Sequence, residues 1–68
     1  MQNNELWRLE EGWLAGYTED AELIRSIRRY KEPKGWRIMA TYSTGARQYK
    51  IPAEQRRVAE RLFAVSIQ

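Results

Sequence analysis

Between Arg25 and Gln68 the chain carries eight arginines and three lysines against three acids, Glu32, Glu54 and Glu60, a local net charge of +8. A guanidinium presents parallel N–H donors that match a phosphate or a guanine edge, which the point charge of a lysine does not. The chemistry suggested is neutralisation of a phosphate backbone, with affinity falling steeply as salt rises. Arg25, Arg28, Arg29, Lys34, Arg37, Arg47, Lys50, Arg56 and Arg57 are the candidate nucleic-acid-binding residues. Arg37 and Lys50 are expected nearer the bases. From Met1 to Ile24 the balance is reversed, with six acids against Arg8 and a local net of −5. That segment supports a different reading, a protein-interaction module (adaptor or inhibitor). It would dock through Trp7 and Trp13 with Glu10 and Glu11 beside them, since an exposed Trp marks an interface.

Several chemistries are excluded by absent residue types. With no Cys and no His there is no nucleophile–histidine pair and no ordinary zinc site. The four glycines stand apart at Gly12, Gly16, Gly35 and Gly45, so no phosphate-cradling loop is present. Glu10, Glu11, Glu19, Asp20 and Glu22 are of the type that binds magnesium, and Asp20 followed by Glu32-Pro33-Lys34 mimics a metal-dependent nuclease spacing. Such a motif works from a rigid strand, whereas Glu32 to Lys34 fall in a Pro-Gly connection. Helix capping and a solvated loop are the preferred reading. Leu14-Ala15-Gly16, with Glu19 following, loosely resembles the start of the LAGLIDADG homing-endonuclease signature. The resemblance covers that short stretch, and it departs at Ala21 and Glu22, where the family keeps glycines after its catalytic acid. No enzymatic activity and no cofactor are expected.

A chain of 68 residues has room for one domain, residues 1–68, with residues 1–5 read as a loose lead-in. So small a core leaves a thin stability margin, and disulfides and histidine–cysteine metal sites are unavailable. A homodimer is therefore expected. No apolar run is long enough to span a bilayer and the N-terminus has no signal-peptide pattern, which gives a cytoplasmic expectation and no membrane partner.

Two aromatic-rich runs, Leu6 to Glu10 and Trp13 to Tyr17, flank Glu11-Gly12 and read as a hairpin or as one long strand. Thr18 is the expected N-cap of a first helix, with acids in its first turn and Leu23, Ile24, Ile27 and Tyr30 as its apolar stripe. The helix should stop near Glu32, because the residue before Pro33 disfavours the helical region. Trp36 to Tyr42 alternates as a half-buried strand, with Trp36, Ile38, Ala40 and Tyr42 on one side. It turns at Ser43-Thr44-Gly45 and returns through Arg47 to Ile51. Pro52 is placed at the first position of a second helix reaching about Ala64, with Val58, Ala59, Leu62, Phe63 and Val65 as its core stripe. Residues 65–68 are read as a short closing strand or a frayed tail.

The fold class is α+β, a small antiparallel sheet of three to four strands with two helices on one face. The order ββαββα is preferred, with ferredoxin-like βαββαβ as the alternative. Trp7-Arg8-Leu9 and Trp36-Arg37-Ile38 hint at an internal duplication. Trp36, Tyr42 and Tyr49 on the apolar side of the second hairpin are expected in the core, with base stacking as the sharper alternative. The function expected is a small non-enzymatic nucleic-acid-binding accessory or regulatory protein (DNA or RNA). The protein-interaction module is the rival.

Overall fold

Glu11-Gly12 makes a two-residue turn, and Gly12 supplies the positive φ of 85° that such a turn needs. In the computed structural model, which describes residues 4–67, this turn joins strand β1 (Asn4–Glu10) to β2 (Trp13–Thr18). Asn4 and Glu5 thus belong to β1 rather than to a loose lead-in, while residues 1–3 lie outside the described residues. Helix α1 (Ala21–Ser26) follows. It is capped by Asp20, not Thr18, and the Asp20 carboxylate accepts from the amides of Glu22 and Leu23. Thr18 is fully buried two residues earlier, donating to Asn4 Oδ1 at 2.6 Å and accepting from the Asp20 amide.

Beyond Ser26, where α1 ends, the chain stays helical in altered form past Glu32. Ile27–Lys31 is a π turn and Glu32–Lys34 a 3-10 turn, closed by Gly35 at φ 105°. Pro33 has no N–H to continue an α-helical ladder and its ring crowds the preceding turn, so the chain changes pitch instead of stopping. Strands β3 (Arg37–Thr41) and β4 (Arg47–Pro52) form the second hairpin. Pro52 ends β4, a 3-10 turn covers Ala53–Gln55, and helix α2 spans Arg56–Phe63. Residues 64–67 form no strand. The Ile67 amide returns to Glu60 Oε2 at 3.1 Å.

The order is ββαββα, and the antiparallel sheet runs β1-β2-β4-β3, so the hairpins join through their second strands. The two tryptophans of the suspected repeat are not equivalent: Trp7 lies mid-strand and half-buried, whereas Trp36 precedes β3 and is buried.

Leu6, Leu14, Leu23, Ile27, Trp36, Tyr49, Ile51, Ala59 and Phe63 form the core between the helices and one face of the sheet. Gly16 lies on that face, and a Cβ there would come within 2.8 Å of Phe63 Cζ, so the absence of a side chain lets α2 sit down on β2. Val58, Leu62 and Val65 pack around this core partly buried, as the expected stripe of α2 requires. The Asn4 amide donates to the Phe63 carbonyl and the Trp36 indole to Gln55 Oε1, tying β1 and the α1–β3 connection to the α2 region.

Candidate nucleic-acid interface

The sheet separates the basic residues into two sets. In register, Leu6, Gly16, Tyr49 and Ile38 share the helix-covered face, and so do Thr18, Arg47 and Thr41. Trp7, Ala15, Lys50 and Arg37 share the other face, as do Tyr17, Gln48 and Ala40. The strand pattern therefore places Arg37 and Lys50 together but across the sheet from Arg47. The nine candidates do not make one surface.

On the helix side, Arg25, Arg28 and Arg29 are exposed along α1 and its π turn, and Lys34 is exposed in the turn beyond. Arg56 and Arg57 are exposed at the start of α2. Among the described residues there are two ion pairs, Lys50 with Glu10 at 3.3 Å and Arg56 with Glu60 at 3.9 Å. The acidic first third thus ties down Lys50, while Arg25, Arg28, Arg29 and Arg47 keep their charges unpaired. Arg29 lies over the Tyr30 ring, 5.6 Å from its centroid, and Tyr30 itself is exposed.

Arg28 and Arg47 converge. They line a cleft of about 320 Å³ between α1 and the β3–β4 hairpin, with Ile24, Glu32, Ile38 and Tyr49 completing it. Arg47 is held in place because its Nη1 donates to the carbonyls of Gly45 and Ala46, at 3.0 and 3.2 Å. Tyr49 is fully buried and its hydroxyl has no hydrogen-bond partner. Burial pushes the Tyr49 phenol above its ordinary range and the Glu32 carboxylate adds to this, while Arg47 opposes it. Tyr49 thus lines the cleft together with three charged side chains, Arg28, Glu32 and Arg47.

The uncovered face is aromatic. Trp7, Trp13 and Tyr17 are half-buried there, and Lys50 Nζ lies 4.6 Å from the Trp13 ring centroid. Tyr42 packs edge-on against Tyr17 at 5.8 Å and donates to Gln48 Oε1. This corrects the expected alternation of Trp36, Ile38, Ala40 and Tyr42. A register shift between Ile38 and Ala40 turns the end of β3 over, so Trp36 and Ile38 stay with the helix side and Tyr42 joins the open face. Tyr17 donates to Glu19 Oε2, and that bond with its carboxylate charge raises the Tyr17 pKa. Of the interaction residues read from the sequence, Trp7 and Trp13 share this face, Glu10 reaches Lys50, and Glu11 is exposed in the turn.

The acids do not assemble. Among the described residues no three Asp or Glu side chains gather as metal ligands, and Asp20 is engaged in capping α1. Leu14-Ala15-Gly16 lies in β2, with Leu14 and Ala15 buried. Sequence reasoning assigned Glu32 to a solvated loop and Tyr49 to plain core. The signal for Tyr49 was its type, because a buried Tyr in place of Phe brings a hydroxyl that needs a partner. No protein family, curated protein or solved structure matches the chain.

Proposed function

We propose that the protein is a non-enzymatic nucleic-acid-binding accessory or regulatory factor of the cytoplasm, engaging the phosphate backbone with the arginines of α1 and Arg47. The observation that carries this reading is the unpaired state of Arg25, Arg28, Arg29 and Arg47 beside a chain rich in acids. Folding could have cancelled these charges and did not, so their field is available to a polyanion. Arg56 and Arg57 add to it from α2, and Arg37 from the far face. The test is fluorescence anisotropy of labelled single- and double-stranded DNA and RNA at two salt concentrations. Binding should weaken linearly on a log–log salt plot, and Arg28→Glu with Arg29→Glu should cut affinity by about tenfold or more and flatten the slope. Affinity independent of salt, or unaffected by the double reversal, overturns the reading.

The rival has a specific support. Trp7 and Trp13 stand half-buried on the uncovered sheet face with Tyr17 and Tyr42, an arrangement suited to a protein partner. Trp7→Ala with Trp13→Ala separates the two, since it should spare phosphate binding and abolish protein docking. For self-association we propose the outer edge of the sheet. β3 is an edge strand with Arg37 as its sole charge, and Ile38, Met39 and the following Tyr42 are exposed.

A further inference from the structure

The cleft between α1 and the β3–β4 hairpin holds a combination that phosphate binding alone does not explain. A backbone phosphate at the rim would be served by the outward donors of Arg28 and Arg47, but one entering the cleft would meet the Glu32 carboxylate, which would repel it. Glu32 has no ion-pair partner among the described residues, so its acceptors are free. The ligand that suits this lining must offer hydrogen-bond donors to a carboxylate and acceptors to guanidinium groups. It must also be apolar on its faces, since Ile24 and Ile38 supply the walls and Ile38 is 47% exposed.

Resting on the nucleic-acid reading above, we propose that this cleft receives one unpaired guanine base of the bound strand. Guanine presents two adjacent donors, N1–H and the N2 amine, which a carboxylate accepts together. It also presents the O6 and N7 acceptors that an arginine grips in parallel. Adenine and cytosine each offer a single exocyclic amine beside an acceptor, and thymine and uracil a lone N–H between two carbonyls, so none satisfies both charges at once. Bases splayed from a single strand are read in such pockets by hydrogen bonds and stacked against side chains. The volume of about 320 Å³ is at the small end of ligand sites, suited to a base and not to a whole nucleotide chain.

Two features mark the cleft as prepared for a polar ligand. Arg47 is pinned through Nη1 by the Gly45 and Ala46 carbonyls, which leaves Nε and Nη2 to donate. The Tyr49 hydroxyl is buried without a partner, at a cost the fold would avoid with Phe in its place, and a base oxygen entering the cleft gives it an acceptor.

The experiment is competitive anisotropy with a short oligothymidine and the same strand carrying one central guanosine, inosine or adenosine. The guanosine strand should bind about tenfold tighter than oligothymidine, as one good carboxylate or arginine pair to a base discriminates. Inosine, which lacks the N2 amine, should fall between, and adenosine should gain nothing. Glu32→Gln should collapse the guanosine-to-thymidine ratio, while Glu54→Gln, an exposed acid outside the cleft, should leave it intact. Tyr49→Phe, which keeps the core volume, should lower the same ratio and serves if Glu32→Gln does not fold. Equal, salt-sensitive binding of all four strands overturns the guanine cleft and leaves the phosphate reading standing. No binding of any strand overturns both.

Discussion

Tyr49 is the residue on which fold and proposed recognition meet. Its ring fills the core beside Ile51 and Phe63, while its hydroxyl is buried and unpaired. Removing that oxygen discards an unsatisfied group, so Tyr49→Phe should be neutral or stabilising by up to about 1 kcal/mol at pH 7, read from urea midpoints. The pH dependence has a definite sign. Burial and the Glu32 charge raise the folded-state pKa of Tyr49 above the unfolded value of about 10. Its contribution is then fully present below pH ~10 and is lost as pH rises through the higher folded value. The midpoint of the unsubstituted protein should therefore fall more steeply above pH ~10 than that of Tyr49→Phe. Parallel curves would show that the phenol ionises as freely folded as unfolded.

At the scale of elements, the two helices are ended by opposite devices. Asp20 satisfies two amides at the start of α1, and Asp20→Ala should cost about 1 kcal/mol. Ala64 closes α2 in the left-handed region at φ 58°, where a Cβ is penalised. Ala64→Gly should accordingly raise stability by up to about 1 kcal/mol, a shift opposite in sign to that of Asp20→Ala and measurable in the same urea titration. The π turn at Ile27–Lys31 has a positional consequence as well: it is the segment that presents Arg28 to the cleft and Arg29 to the Tyr30 ring. The acidic first turn, Pro33 and most of the apolar stripe were legible in the sequence, but Tyr30, expected on that stripe, is exposed, because the wider π turn rotates it off the face that buries Leu23 and Ile27. The pitch change was not legible, since a proline marks the end of an α-helical ladder without saying which wider or tighter turn carries the chain on.

For the whole molecule, charge and apolar surface are distributed by the sheet. The helix side carries Arg25, Arg28, Arg29 and Arg47 unpaired and the far side the half-buried rings of Trp7, Trp13 and Tyr17 with Arg37 beside them, so a polyanion and a protein partner would meet largely different surfaces. The edge formed by β3 is neither covered nor charged beyond Arg37. If it joins two copies, sedimentation equilibrium should show a dimer, and Met39→Lys, which places a charge on that edge, should yield a monomer with the same far-UV spectrum. A monomer at all concentrations for the unsubstituted protein would remove this edge from the account. Two core-facing contacts seat α2: Gly16 under Phe63, and Trp36 beside it at 6.4 Å between ring centroids.

Local patterns determined the α+β class, the stripe of α2, most of that of α1 and the segregation of charge along the chain, and they favoured ββαββα over βαββαβ without deciding between them. These follow from periodicity, turn residues and composition, which act over a few neighbours. The tertiary structure decided which charges meet. A register shift between Ile38 and Ala40 moved Tyr42 to the open face, and antiparallel pairing set Arg37 and Lys50 across the sheet from Arg47. Packing of α1 on the second hairpin brought Glu32, Arg28 and Arg47 around Tyr49 from segments far apart in sequence. No local rule carries that information, because a cleft is made by the distances between elements and not by the residues within any one of them.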